Sequence, residues 1–82
     1  MDKQQILDHV INYINSEFGE STGNVNADTQ LLSTRLLDSI NTLRMVNDLE
    51  EHFKMDVEAH EVNPDNLNTP GQIADWIARK LA

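Results

Sequence analysis

A serine beside an aspartate is the residue pair with the clearest chemical potential in this sequence, in the string Leu36-Leu37-Asp38-Ser39-Ile40. Asp38 is a favoured N-cap residue, so Ser39 is expected in the first turn of a helix, exposed and held still. An anion esterified to its hydroxyl would lie near unpaired N–H groups and the positive end of the helix dipole, which suits a phosphodiester. Most Asp-Ser pairs at helix starts are simple caps, so the pair alone leaves both readings open.

The three histidines, His9, His52 and His60, do not suggest a second reactive site. No two of them have the spacing of a zinc motif and the chain has no cysteine, so we predict exposed helical histidines and no metal site. His52 would lie about 20 Å from Ser39 on one helix at about 1.5 Å per residue, too far for a general base. The chain also has no nucleophile elbow and too little mass for a closed site, which argues against a serine hydrolase, a further possible function. We therefore predict no catalytic residue and a protein that is not an enzyme.

Two amphipathic helices and a long loop are expected to position the serine. Apolar residues at three-and-four spacing predict a first helix from about Asp2 to Phe18, which Gly19 would end, and a second from about Ser39 to Phe53. The loop between them is polar, but it also contains apolar residues that need burial, so it should be packed rather than disordered. These apolar residues are Val25, Leu31, Leu32, Leu36 and Leu37.

The rest of the chain predicts a short helical turn and a last helix. One turn is expected between Met55 and Leu67, where Pro64 interrupts the pattern, and the nearby Asn63, Asp65, Asn66 and Asn68 are read as turn residues. Thr69, Pro70 and Gln72 have the types and spacing of a capping box that opens a helix. The predicted fold class is all-α, a small bundle of three longer helices plus one short helix.

Length and charge limit the possible functions. A chain of 82 residues can bury one core, so we expect a single domain over residues 1–82. The formal charge of −8 opposes nucleic-acid binding, and no apolar run approaches the roughly 20 residues that span a bilayer. We expect a cytoplasmic protein without membrane insertion. The crowded acids form either a solvated face or a docking surface for basic partners: Asp48, Glu50, Glu51, Asp56, Glu58, Glu61 and Asp65.

A family resemblance distinguishes the two readings of the Asp-Ser pair. The string Leu37-Asp38-Ser39-Ile40 and the stripe after it resemble the acyl and peptidyl carrier proteins around their modified serine, and the order of elements resembles them over nearly the whole chain. The stripe consists of Leu43, Val46, Leu49, Glu50 and Phe53. The resemblance implies that a phosphopantetheinyl transferase attaches 4′-phosphopantetheine from coenzyme A to Ser39, and that Asp38 positions the transferase or its magnesium ion.

The resemblance also implies how such a protein works. It would hold an acyl or aminoacyl group as a thioester on the arm, receive it from an acyl or aminoacyl ligase, and deliver it as a monomer to downstream acyl-transferring enzymes. Fatty acid carriers usually have an acidic face after the serine, where this chain has Asn41 and Arg44. The later segments 53–57 and 62–70 look more like stand-alone aminoacyl carriers, including the D-alanyl type. The alternative function is an acidic helical interaction module without a prosthetic group.

The predicted partner-binding residues all lie on the second helix. They are Ile40, Arg44, Met45 and Asn47, and we expect Ile40 and Met45 to be exposed. Leu43 and Val46 are expected in the core. The other possibility is that they border, with Ile40 and Met45, a shallow apolar space for the arm or its cargo.

Overall fold

The computed structural model describes residues 2–82, except for the side chain of Ser21. These residues form four α-helices and one turn of 3₁₀-helix, and they contain no β-strand. The elements are α1 (Lys3–Thr22), α2 (Ser39–Phe53), the 3₁₀ turn (Ala59–Glu61), α3 (Pro64–Leu67) and α4 (Pro70–Leu81). The predicted all-α fold, with three longer helices, a short one and a long loop after the first, is confirmed.

Helix α1 begins as predicted but ends four residues later. Asp2 caps it in a capping box with Gln5, and the helix continues through Gly19 to Thr22. It ends at Gly23, whose φ of 68° is in the left-handed region that glycine adopts without steric cost, and whose N–H donates to the Gly19 carbonyl at 2.9 Å. The predicted stop at Gly19 was wrong because an isolated glycine is tolerated inside a helix.

The later helix starts follow from their caps. Helix α2 starts at Ser39 after Asp38, and α4 starts with the predicted capping box of Thr69 and Gln72. Between α2 and α4 there are two short elements instead of one. Pro64 begins α3 rather than interrupting a helix, because proline is compatible with the first helical position and Asn63 caps it from the residue before.

The apolar stripes of the helices meet in one core. Helix α4 packs along α1 and also contacts α3, while α2 contacts α1. None of the helices in residues 2–82 is long and apolar enough to cross a membrane. The buried apolar side chains are Ile6, Val10, Ile14 and Phe18 of α1, Met45, Val46, Leu49 and Phe53 of α2, Leu67 of α3, Ile73, Ala74, Trp76 and Ile77 of α4, and Val25, Leu31 and Leu37 of the loop.

The loop before α2 is fastened to the α3–α4 junction by hydrogen bonds of its backbone groups to the backbone and to the Asn68 side chain. The Asn68 carbonyl accepts from Leu31 N–H at 2.6 Å, and its side-chain oxygen accepts from Leu32 N–H at 3.0 Å and Ser33 N–H at 2.9 Å. Gly71 N–H donates to the Ala27 carbonyl at 2.9 Å, so close that a Cβ at residue 71 would lie 3.1 Å from this oxygen. The loop is therefore a packed element, as its leucines predicted.

Candidate functional site

Ser39 is the first residue of α2, and its side chain is exposed. Asp38 caps the helix: its carboxylate accepts the Asn41 N–H at 2.7 Å, and its carbonyl accepts the Thr42 N–H at 2.9 Å and the Thr42 hydroxyl at 2.7 Å. The Thr42 side chain is buried, so the hydrogen bond from its hydroxyl to the Asp38 carbonyl is shielded from water. Hydrogen bonds to the carboxylate and to the carbonyl of Asp38 thus fix the backbone that carries the Ser39 hydroxyl.

A hydrogen-bonded turn of the loop over residues 31–37 places Asp38 at the start of α2. Leu37 N–H donates to the Leu31 carbonyl at 3.1 Å, and Arg35 N–H donates to the Leu32 carbonyl at 3.1 Å. The side chains of Leu31 and Leu37 are buried, which anchors both ends of the turn in the core. Only the residues between them, together with Asp38 and Ser39, remain at the surface.

A groove of about 630 Å³ lies beside Ser39, between the loop, α2 and α3. It has an apolar wall and a polar edge. The wall consists of Leu32, Leu37, Leu43, Val62 and Pro64, and the edge consists of Arg35, Asp38, Ser39, Thr42 and Asn63. A chain attached to the Ser39 hydroxyl can therefore lie along a surface that matches both apolar and polar segments.

Two predictions on the packing of α2 were wrong, and both errors concern the face on which a residue lies. Met45 is fully buried rather than exposed, while Leu43 is 54% exposed rather than part of the core. Residues four apart share a helix face, so Leu43 lies with the exposed Ser39, and Met45 lies with the buried Leu49. Ile40 is 71% exposed and Val46 is buried, as expected.

The groove differs from the apolar space that the sequence suggested. Of the four residues predicted to border such a space, Ile40, Leu43, Met45 and Val46, only Leu43 lines it. The other side is formed by the loop and by the residues at the start of α3, which sequence reasoning missed. One signal was available, because a proline directly after Asn63 is typical of a helix start.

The other predicted partner-binding residues lie on the opposite flank of α2. Arg44 and Asn47 are exposed, and the Arg44 guanidinium carbon lies 5.8 Å from the centre of the Phe18 ring of α1. Both residues line shallow depressions between α1 and α2 and do not reach the groove. The serine thus lies between two surfaces, the groove on one side and the Arg44 flank on the other.

The acidic residues of the second half do not form one uniform surface. Glu61 accepts from Lys80 Nζ at 2.9 and 3.0 Å and from Trp76 Nε1 at 3.3 Å. The Glu58 N–H, and then Lys80 and Trp76, lower the pKa of Glu61 to about 2. Glu50 accepts the Val57 N–H at 2.9 Å. Glu50 and Glu61 thus form hydrogen bonds with other segments of the chain, whereas Glu51, Asp56 and Asp65 are exposed.

The histidines are arranged differently from the prediction. His9 is only partly exposed: its ring stacks on that of His52 at 3.6 Å between centroids, and its Nε2 lies 3.3 Å from Asp48. His52 and His60 are exposed, although His60 lies in the 3₁₀ turn rather than in an α-helix. Within residues 2–82, no three His, Cys, Asp or Glu side chains are placed to hold a metal ion.

Comparisons with known proteins agree on one family. A family model described as a phosphopantetheine attachment site matches residues 8–77. The D-alanyl carrier protein of Lactobacillus delbrueckii subsp. bulgaricus is 27% identical over 94% of this chain and 90% of its own length. The D-alanyl carrier protein of Leuconostoc citreum is 29% identical over 83% of this chain and 86% of its own. The acyl carrier protein of Exiguobacterium sibiricum is 29% identical over 99% of this chain and 100% of its own length.

The residues around Ser39 fit the cofactor of this family. An exposed hydroxyl on a fixed helix start can accept the phosphate, and the groove offers room and an apolar wall for the arm. The cofactor is covalently attached 4′-phosphopantetheine, whose thiol supplies the sulfur that a chain without cysteine lacks. The chain belongs to the carrier proteins that are defined by a phosphopantetheine attachment site.

Proposed function

We propose that this protein is a single carrier domain over residues 1–82 that holds acyl or aminoacyl groups as thioesters on an arm attached to Ser39. The observation that carries the proposal is the exposed Ser39 hydroxyl on the first turn of α2, beside a groove. The protein itself catalyses nothing in this proposal: it presents the thioester to the active sites of other enzymes.

The residues next to Ser39 have separate roles in attachment of the arm. On a phosphopantetheinyl transferase, Ser39 Oγ attacks the pantetheine-bearing phosphorus of coenzyme A: the new phosphoester bond forms as the pyrophosphate bond breaks, 3′,5′-ADP leaves, and the transferase takes up the hydroxyl proton. Asp38 uses one carboxylate oxygen for the helix cap, so its other oxygen can face the transferase or its magnesium ion. The buried Thr42 fixes the Asp38 carbonyl and keeps the serine in place during the reaction.

We further propose an aminoacyl cargo of the D-alanyl type, loaded by an aminoacyl ligase in the cytoplasm and passed to an acyl-transferring enzyme. Two kinds of relative match at similar identity, so they alone do not select the cargo. The selection rests on Asn41 and Arg44, which replace the acids expected after the serine of a fatty acid carrier. ATP-dependent loading of the holo protein with D-alanine, compared with fatty acids, by ligases of each class tests this choice.

The proposed docking face for these enzymes is the exposed side of α2, formed by Ile40, Leu43, Arg44 and Asn47. Ile40 and Leu43 are two of the few large apolar side chains exposed in the described part of the chain, and both adjoin the serine. Exposed apolar side chains next to a functional residue are typical of a surface that a partner protein covers. Met45 lies outside this face because it is buried.

The attachment site is tested by intact-protein mass spectrometry after incubation with coenzyme A, magnesium and a broad-specificity phosphopantetheinyl transferase. The wild type and Ser33→Ala, a matched variant at another exposed serine, should each gain one phosphopantetheinyl group. Ser39→Ala should gain none while keeping its helical circular dichroism. If neither wild type nor Ser33→Ala is modified while a known carrier is, the acidic interaction module without a prosthetic group becomes the better proposal.

A further inference from the structure

Arg35 adopts an unusual backbone conformation in the turn before the serine. Its φ is 62°, in the left-handed region that side chains other than glycine rarely adopt. The other non-glycine residue with positive φ in the described chain is Lys54, which ends α2, where this conformation is common. Arg35 lies at no helix end: it closes the turn that begins at Leu32, whose carbonyl accepts its N–H at 3.1 Å, and an arginine in this conformation has a steric cost that glycine would not have.

The side chain of Arg35 lies where it can reach a group attached to Ser39. It is exposed, and it lines the same groove as Ser39, of which it is the one cationic member. Within residues 2–82 its guanidinium makes no ion pair and no side-chain hydrogen bond, although the chain carries a net charge of −8. Asp38, the groove's carboxylate, already accepts the Asn41 N–H.

The cofactor would supply the missing anion. A phosphodiester on Ser39 carries a negative charge at the root of the arm, and a guanidinium can donate two parallel hydrogen bonds to phosphate oxygens. Resting on the proposed attachment at Ser39, we propose that Arg35 is a positioning residue that pairs with this phosphodiester and directs the arm along the apolar wall of the groove. Leu43 and Val62 then lie beside the pantetheine part.

The pairing separates two roles at the serine. Asp38 and Thr42 fix the attachment point before the arm is added, whereas Arg35 acts only after it is added. An arm held at its phosphate sweeps a smaller volume than one that rotates freely, and its thiol stays on the groove side of α2. Partner enzymes would meet a thioester that projects from a defined direction.

The test is ³¹P NMR of the holo protein, with attachment of the arm verified by mass for every sample. The phosphodiester resonance should move by more than its line width in Arg35→Gln and Arg35→Gly, and much less in Arg35→Lys, which keeps the charge. Arg44→Gln is the matched control, because it also removes one positive charge, but from the flank of α2 that faces away from the groove. Salt at 1 M, which reduces the Debye length to about 3 Å, should move the wild-type resonance toward that of Arg35→Gln.

The outcomes separate the pairing from the carrier function. A resonance that stays in place in Arg35→Gln, or that moves equally in Arg44→Gln or Arg35→Lys, overturns the pairing while the carrier proposal stands. Arg35→Gly keeps the backbone conformation of the turn without a cation, so agreement between it and Arg35→Gln assigns the effect to charge. If mass spectrometry shows no arm on the wild type, the proposed function itself fails.

Discussion

Around Ser39 the charged and apolar side chains face solvent, whereas around Trp76 the same kinds of side chain are paired or covered. We call these the serine region (Arg35, Ser39, Ile40 and Leu43) and the tryptophan region (Glu61, Trp76 and Lys80). In the tryptophan region one carboxylate accepts from both the lysine and the indole, and the indole is buried. In the serine region two large apolar residues are more than half exposed and the arginine makes no ion pair with a described residue.

This difference assigns different tasks to the two regions. Paired polar groups and covered apolar groups lower the free energy of the folded state, and the tryptophan region joins the 3₁₀ turn to α4 in this way. The exposed groups of the serine region contribute little to folding, and the proposed docking face and arm give them contacts outside the chain. Substitutions in the tryptophan region should therefore change stability, and those in the serine region should change the reactions of the protein.

The largest difference is expected between two isoleucines of opposite burial. Ile77→Ala should lower the free energy of unfolding by about 2–5 kcal/mol, because Ile77 is fully buried and its removal leaves a cavity. Ile40→Ala should change it by less than about 0.5 kcal/mol, because Ile40 is 71% exposed. Urea unfolding followed by circular dichroism measures both. Equal losses in the two variants would contradict the assignment of Ile40 to a docking face.

The next largest effect is expected at the lysine of the tryptophan region. Lys80→Met should lower the free energy of unfolding by about 1–3 kcal/mol, because the Glu61 carboxylate, only 18% exposed, loses its charged donor. Lys3→Met is the control, since its pair with Asp75 is about half exposed and should contribute about 1 kcal/mol or less. If Lys3→Met lowered the free energy of unfolding as much as Lys80→Met, burial of an ion pair would not determine its contribution to stability.

Acid should weaken the tryptophan region through Glu61. The Glu58 N–H first, and then Lys80, lower the pKa of this carboxyl from 4.5 to about 2 in the folded protein. A lowered pKa stabilises the folded state above the unfolded-state value, so this contribution is complete above pH about 4.5 and is lost as the pH falls toward about 2. Glu61→Gln should flatten the dependence of unfolding free energy on pH in this window, and Lys80→Met should flatten it less. An unchanged dependence in Glu61→Gln would remove Glu61 as its source.

A smaller effect is expected where the loop is fastened to the α3–α4 junction. Asn68→Ala should lower the free energy of unfolding by about 1–2 kcal/mol, because two backbone N–H groups lose their acceptor. Hydrogen exchange of Leu32 and Ser33 should accelerate. Asn68→Asp keeps an acceptor oxygen and serves as the control. Unchanged exchange in Asn68→Ala would mean that buried leucines alone hold the loop.

Local sequence rules predicted the start of each longer helix and the serine position. Asp38 and Thr69 are caps whose side chains bond within their own helix, so a few neighbouring residues determine the outcome. The end of α1 was less predictable, because Gly19 and Gly23 are both possible stops and only Gly23 has the positive φ of a helix end. The end of α2 at Phe53, in contrast, agreed with the prediction.

The groove could not be predicted in the same way, because the residues of its apolar wall are far apart in sequence. Val62 and Pro64 line the same groove as Leu32, whose N–H donates to the Asn68 side chain, and no periodicity in either segment indicates that they lie together. The positive φ of Arg35 was equally hidden, since the residue type argues against it. The loop side of the groove is held by one residue, Asn68, which accepts hydrogen bonds from Leu31, Leu32 and Ser33.

The smallest effects are expected at Arg35 and Lys54, the arginine and the lysine whose φ is positive. Arg35→Gly and Lys54→Gly should each raise the free energy of unfolding of the apo protein by about 0.5–1 kcal/mol, because glycine removes the steric cost of the left-handed conformation. The greater flexibility of glycine in the unfolded chain keeps the gain small. Urea unfolding of the apo variants against the wild type measures it.

The holo forms of the same variants should then diverge. Lys54 lies at the far end of α2 from the serine, so Lys54→Gly should keep its gain after the arm is attached. Arg35→Gly should lose part or all of its gain, because the wild-type arginine acquires an anionic partner only in the holo protein. Arg35 would thus be an unfavourable residue in the apo fold that the cofactor compensates. Equal gains for Arg35→Gly in the apo and holo proteins would mean that the conformation of this arginine serves no contact with the arm.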